Sequence, residues 1–279
     1  MPSSCAASDE RRPGAVTLRH ESGARAEVRL HGAHVTSWCT DDGVERLFLS
    51  SASRFEPGVA IRGGMPVIFP QFADRGPLPR HGFARVLPWR LAAGGDGPDC
   101  ALVLEASPAT RALWPFAFRA ELAVALVARG LKVELLVEAA EALEFTTALH
   151  SYLRVEDVER AAVYGLRGCV FQSGVEGVRE GHEERAAVRV SGEVDRVYFD
   201  VPGPLVLDDE AGGSRLEVSA GGFPDVVLWN PGAEKARALA DLGRGEERVM
   251  LCIEAAAVGR TVRLAAGESW RGRQTLQVV

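Results

Sequence analysis

Two of the six histidines in this 279-residue chain stand where an imidazole can do chemistry. His150 lies in FTTALHSYLRV. Read as a strand, period-two alternation sends Thr146, Ala148, His150 and Tyr152 to one face and Phe145, Thr147, Leu149, Ser151 and Leu153 to the other. The second face suits a core. The first sets a titratable ring between a small residue and a tyrosine, which suits a surface turned toward a ligand, a packed structural histidine being the alternative. His81 lies in GPLPRHGFAR, where two prolines stiffen the backbone and Gly82 permits close approach, so that Arg80, His81 and Arg85 share a small volume. Upstream, IRGGMPVIFPQF sets Arg62 before two glycines. Three arginines in such loops can form a fork-like receptor for phosphate or carboxylate; ion pairs with Asp74 or Glu56 are the competing use.

Glu254 is the most unusual acid. In RVMLCIEAAAV its neighbours are apolar or small on both sides, so its carboxylate is expected to lose water, which raises its pKa and makes it a better base near neutrality. A buried glutamate paired with arginine would leave the same trace. Asp195, in EVDRVYFD, sits at the mouth of an expected strand and could bond a hydroxyl-rich ligand or simply occupy an exposed turn. His20, His31 and His34 read as turn or surface residues, and His182, in GHEER, as solvated. The chain carries no HExxH, P-loop, GxSxG or CxxC pattern, and its Gly-Gly pairs do not continue into a dinucleotide fingerprint. No metal and no cofactor is expected.

These groups have to be held in place, and the chain supplies short strands to do so. Runs such as Ala15–Leu18, Ala26–Leu30, His34–Cys39, Phe118–Leu126, Lys132–Glu138, Thr146–Val155, Val226–Trp229 and Arg248–Ala255 recur between turn residues at close spacing. Such spacing throughout the chain predicts an all-β sandwich or barrel. One helix stands out, Glu234–Leu242, after the NPG turn. Residues 15–279 read as one domain behind a flexible tail, residues 1–14. The net charge is −6, with 32 basic and 38 acidic residues mixed along the chain, which excludes a nucleic acid partner. No apolar run is long enough for a membrane helix, and the N-terminus lacks the apolar core of a signal peptide. Five widely spaced cysteines without a CxxC pair argue against a disulfide framework and for a reduced, cytoplasmic setting.

Six segments together carry a resemblance that none carries alone. IRGGMPVIFPQF, GPLPRHGFAR, ALHSYLRV, DRVYFD, VLWNPGAEKARALADLG and MLCIEAA, in this order, resemble the D-hexose-6-phosphate mutarotases (glucose-6-phosphate 1-epimerases) of the aldose 1-epimerase-like superfamily. The resemblance spans nearly the whole chain after the tail. It implies a β-supersandwich of large antiparallel sheets with one or two short helices, the concave side of one sheet forming a sugar site. It implies further that His150 is the general acid at the ring oxygen and Glu254 the general base at the C1 hydroxyl. His81 would line the sugar site, Asp195 would bind a sugar hydroxyl, and Arg62 and Arg85 would meet the phosphate. The implied partner is a small sugar phosphate bound by a monomer.

Two positions depart from the family pattern. Arg80 stands where the family has glutamine, and Gly232 where it has an aromatic residue. The first adds charge near the expected phosphate site; the second removes a ring from beside the sugar. Two other functions fit the same residues. One is a non-catalytic sugar-phosphate sensor. The other is a glycoside hydrolase using Asp195 and Glu254 as paired carboxylates.

Overall fold

The computed structural model describes residues 14–175 and 180–279, so residues 1–13 of the expected tail lie outside the described residues. Among the described residues there are three antiparallel sheets, of three, eight and nine strands. The smallest joins Ala15–Arg19, Arg25–Arg29 and His34–Cys39. The nine-stranded sheet runs from Ala187–Arg189 at one edge to Arg90–Gly94 at the other. Its long central strands, Phe118–Val127 and Gly130–Ala139, alternate apolar residues inward with residues such as Arg119, Glu121 and Glu134 outward, the pattern of a sheet wetted on one side.

The eight-stranded sheet carries the site. Its order is Glu180–His182, Val170–Ser173, Val194–Tyr198, Asp225–Asn230, Met250–Leu264, Leu143–Leu149 and Val67–Ile68, with Tyr152–Arg154 also paired to Met250–Leu264. The first nine residues of Met250–Leu264 are all buried, because both faces of this strand are covered. One face enters the main core beside Leu122, Leu131 and Leu276 of the nine-stranded sheet. The other meets a separate apolar cluster of Ile68, Phe72, Ala148, Val197, Val227, Ala256 and Val258. A continuous apolar run interrupted by one glutamate is how a doubly covered strand reads.

The all-β architecture agrees with the expectation, and two details differ from it. The helix expected at Glu234–Leu242 is a short one over Gly232–Ala236. Beyond it the helical pattern is spent on successive turns, with the N–H groups of Ala238, Leu239 and Leu242 each donating to the carbonyl three residues earlier. A second short helix, Pro108–Leu113, is capped by the Ser107 hydroxyl, a signal too brief to show periodicity. Cys39 is disulfide-bonded, whereas Cys100, Cys169 and Cys252 are free thiols. One cross-link leaves an odd count and wide spacing as they were, so neither announces it. Among the described residues, no helix is long and apolar enough to cross a membrane.

The loop that leads to Arg62 and beyond is tied to the small sheet by His34, a residue read from sequence as a turn or surface histidine but fully buried here. Its Nε2–H donates to Gly63 O at 2.7 Å. Gly64 must be glycine: its φ is +61°, and a Cβ would lie 2.3 Å from Val35 O and 2.7 Å from His34 Nε2. Burial holds the His34 imidazole neutral and pushes its pKa down to about 3. An unfolded histidine titrates at about 6.5, so below that pH the unfolded chain takes up the proton that the folded one refuses. Stability is therefore full above about pH 6.5 and falls as the pH drops toward 3, by up to about 1.4 kcal/mol per unit for this group. Urea unfolding at a series of pH values between 7 and 4 checks this. A free energy that stays level across that window contradicts it.

Candidate active site

His150 and Glu254 meet because of strand register. Leu149 pairs with Ala255, and the pairing resumes with Tyr152 opposite Cys252. No register is lost across His150 and Ser151, although they interrupt the strand formally, so His150 stands opposite Glu254. Its Nε2 lies 3.3 Å from Glu254 Oε1. The alternation read from sequence holds on both faces. Ser151, on the other face, bonds Gln274 of the opposing sheet, and Gln274 Nε2 donates to Ile253 O at 2.9 Å. One buried amide thus braces the backbone beside both His150 and Glu254. The His150 ring stacks on Tyr152 at 4.6 Å and 6° and meets the edge of Trp229 at 6.1 Å.

Burial dominates the electrostatics of the pair. Desolvation pushes the His150 imidazole well below its ordinary range, helped by His81, Arg62 and Arg85. Desolvation also raises the Glu254 carboxyl well above the usual carboxylate range, helped by Asp195 and opposed by Arg85. Each group resists charge, the imidazole by staying unprotonated and the carboxyl by staying protonated. Among the described residues, His150 Nδ1 and Glu254 Oε2 are buried with no hydrogen-bond partner, so each retains polar capacity.

The pair sits in a cleft of about 490 Å³ whose lining includes every residue singled out from sequence: Arg62, Arg80, His81, Arg85, His150, Asp195 and Glu254. His81 adopts φ +67°, and its Nδ1 accepts from Ala73 N–H at 3.3 Å. Burial and the neighbouring arginines push its pKa down to about 3. The ring is therefore neutral with its proton on Nε2, a hydrogen-bond donor fixed by the backbone. Its ring centroid lies 5.8 Å from that of His150.

The three arginines are held in three different ways. Arg62 Nη1 donates to Tyr152 OH at 2.9 Å, and Nη2 to Asp241 at 3.1 Å. Arg85 Nη2 donates to the carbonyl of Arg80 at 3.0 Å. The Nε atoms of Arg62 and Arg85 are buried and unpartnered. Arg80 is more than half exposed at the rim, where its side chain pairs with Asp74, so the ion pair weighed from sequence is realised there. Arg62 pairs with neither Asp74 nor Glu56; its carboxylate is Asp241.

Asp195 marks another part of the wall. Burial raises its carboxyl, with Lys235 opposing. Lys235 Nζ lies 2.7 Å from Glu193 Oε1 and 4.0 Å from Asp195 Oδ2. Gly232 does not line the cleft. Its φ is +62°, and a Cβ would lie 2.6 Å from Glu193 N and 2.9 Å from Gly192 C. The glycine lets the turn that carries Glu193 close against the helix that carries Lys235. The contacts of this glycine are with that turn.

Sequence reasoning did not assign roles to Tyr152, Trp229, Lys235, Arg75 or Asp241. Tyr152 shares the His150 face in the alternation, which was the available signal. Arg75 is one more loop arginine, bound to Gln172 Oε1 at 3.0 Å and Val258 O at 3.2 Å. Asp241 lies within VLWNPGAEKARALADLG, one of the segments that carry the resemblance, but its partner is 179 positions away, so spacing does not pair the two.

Known proteins resemble this chain along almost its full length. The family model described as aldose 1-epimerase matches residues 14–277. A Cenchrus ciliaris protein named "Putative glucose-6-phosphate 1-epimerase" is 35% identical over 279 residues, covering 95% of this chain and 84% of its own. An Escherichia coli (strain K12) protein of the same name is 33% identical over 260 residues, covering 91% and 87%. The crystal structure of a "putative mutarotase" from Salmonella typhimurium superimposes with a TM-score of 0.87 at 31% identity, covering 95% of this chain and 90% of that one. With the large antiparallel sheets and a match that runs through every strand of the site, these likenesses have one meaning: the chain belongs to the aldose 1-epimerase family and is an epimerase of sugars.

Proposed function

We propose that this enzyme interconverts the α and β anomers of a hexose 6-phosphate, D-glucose 6-phosphate foremost. The observation that carries the reading is the 3.3 Å contact between His150 and Glu254 in a cleft that Arg62 and Arg85 also line. Mutarotation needs one group to take the proton from O1 while another delivers one to O5. The C1–O5 bond then breaks, giving the open aldehyde. Rotation about C1–C2 presents its other face, O5 attacks C1, and both protons return. Nothing is oxidised and no group leaves.

In the proposed mechanism Glu254 takes the O1 proton and His150 protonates O5, the roles reversing on closure. The shifts suit this exchange, because a raised carboxyl is a stronger base once ionised and a lowered imidazole is a stronger acid once protonated. The site resists two charges, so the pair holds one proton between them and titrates as a unit. His81 contributes an Nε2–H toward the sugar and Asp195 a hydroxyl contact. Arg62 and Arg85 receive the phosphate. A phosphate dianion there offsets the two positive charges that help hold His150 neutral, which favours a protonated acid when the phosphorylated sugar is bound. Fixed guanidinium groups beside an apolar floor make this an anion site within an acidic protein.

NMR exchange at C1 tests the reaction. Catalysed exchange with glucose 6-phosphate is expected, falling by about 10²–10⁴ in His150→Ala and in Glu254→Gln. Saturable binding without exchange would make the protein a sensor instead. Preference for glucose 6-phosphate over glucose is expected to weaken in Arg62→Ala and Arg85→Ala; a preference that survives both places the phosphate elsewhere.

The pH profile is a separate check. Glu254 must be ionised to accept the proton, and burial raises its pKa. Activity is therefore lost as the pH falls through that raised value. The acid limb of kcat/KM should have its midpoint above the ordinary glutamate value of about 4.3. A midpoint at or below that value would remove Glu254 from the role of base.

A further inference from the structure

Arg62 reaches the cleft wall from a loop, on a long side chain with many rotamers, yet it is held at several points. Its Nη2 lies 3.1 Å from both carboxylate oxygens of Asp241. Its Nη1 donates to Tyr152 OH at 2.9 Å, and the guanidinium lies 5.9 Å from the centre of the Trp229 ring. Asp241 itself stands on an anchored segment. Leu242 N–H bonds Leu239 O, and Gly243 N–H bonds both Ser50 Oγ at 3.0 Å and Glu246 Oε2 at 2.9 Å.

We propose that Asp241 is a positioning residue that fixes the Arg62 guanidinium and thereby sets the preference of the cleft for a phosphorylated sugar. The inference rests on the hexose 6-phosphate reading. Two effects of Asp241 oppose each other. Its negative charge repels a phosphate, but its bonds remove the rotamer freedom that Arg62 would otherwise lose on binding one. Without Asp241, the polar hold on Arg62 reduces to the single hydrogen bond that its Nη1 donates to the Tyr152 hydroxyl, which leaves the other end of the guanidinium free to turn. Preorganisation therefore wins over repulsion, the more so because Asp241 is part-exposed and its field is screened.

The catalytic pair should feel this much less than the phosphate does. The Tyr152 ring, against which His150 stacks, is also packed against Phe48 at 6.4 Å and Trp229 at 6.0 Å. It stays in place when Arg62 is released. The signature is accordingly a split between KM and kcat, together with a change in substrate preference.

Anomer exchange is measured with glucose 6-phosphate and with glucose on the wild type, Asp241→Ala and Asp241→Asn, and on Asp241→Ala combined with Arg62→Ala. In Asp241→Ala, KM for glucose 6-phosphate is expected to rise about tenfold, the scale of one charge-assisted hydrogen bond. Its kcat should change much less, and the ratio of kcat/KM values for glucose 6-phosphate and glucose should fall about tenfold with KM. Asp241→Asn keeps an acceptor oxygen and should lose less. Combined with Arg62→Ala, the Asp241 substitution should add nothing to that ratio. Equal losses on both sugars, as a purely structural role predicts, would overturn the proposal, and so would a KM that falls or holds in both single variants. A wild type indifferent to the phosphate would instead overturn the underlying substrate reading, whatever the variants do.

Discussion

Everything in the site follows from burying a carboxyl and an imidazole side by side. Among the described residues, neither Glu254 nor His150 forms an ion pair beyond the other, and both are buried. Such a pair is costly to hold unless its geometry is maintained from behind. Backbone supplies that geometry: adjacent antiparallel strands in unbroken register, with Gln274 bonded to the residues next to each. The apolar floor of Ala148, Val227 and Ala256 completes the arrangement by keeping the local dielectric low. In such a medium a modest change in nearby charge moves a proton, whereas in water it would be screened.

That sensitivity gives the arginines a second significance. Arg62 and Arg85 both lie close enough to act on His150, Arg85 acts on Glu254 as well, and the bonds that position them leave each Nε without a partner among the described residues. Arg80 contributes its backbone carbonyl to Arg85 and turns its side chain to Asp74. The departure at that position therefore adds charge at the mouth, while its main chain supports the interior. The departure at Gly232 also acts at the mouth, through Glu193 and Lys235. Both lie apart from the pair itself, where variation leaves the buried contact undisturbed.

Much of this was legible in the chain because it depends on short-range pattern. Alternation placed His150 and Tyr152 on one face and Leu149, Ser151 and Leu153 on the other. An acid within a continuous apolar run marked Glu254, and proline and glycine around His81 and Arg85 marked a rigid loop. Partners brought in by topology were not legible. Asp241 and Lys235 lie in a segment that carries the resemblance, yet neither has a legible partner until the fold carries Asp241 to Arg62 and closes Glu193 on Lys235. The helix expected at Glu234–Leu242 shows the limit from the other side, since helical spacing there is spent on turns that deliver Asp241. His34 shows it again: a histidine beside a turn became a buried tie, because strands packed over it from distant parts of the chain.

The brace behind the site has a consequence for how the molecule is made. Ser151 and Gln274 are 123 positions apart, and Gln274 belongs to the last strand, Ser269–Val278. The carboxyl sits on the strand before it. Contacts of such separation form late, after the intervening chain has been ordered. During synthesis the imidazole, the loop arginines and half of the large sheets emerge before anything that can complete them. The cleft is thus completed late, because the imidazole and the carboxyl can be locked face to face only once Ser269–Val278 has brought Gln274 behind them.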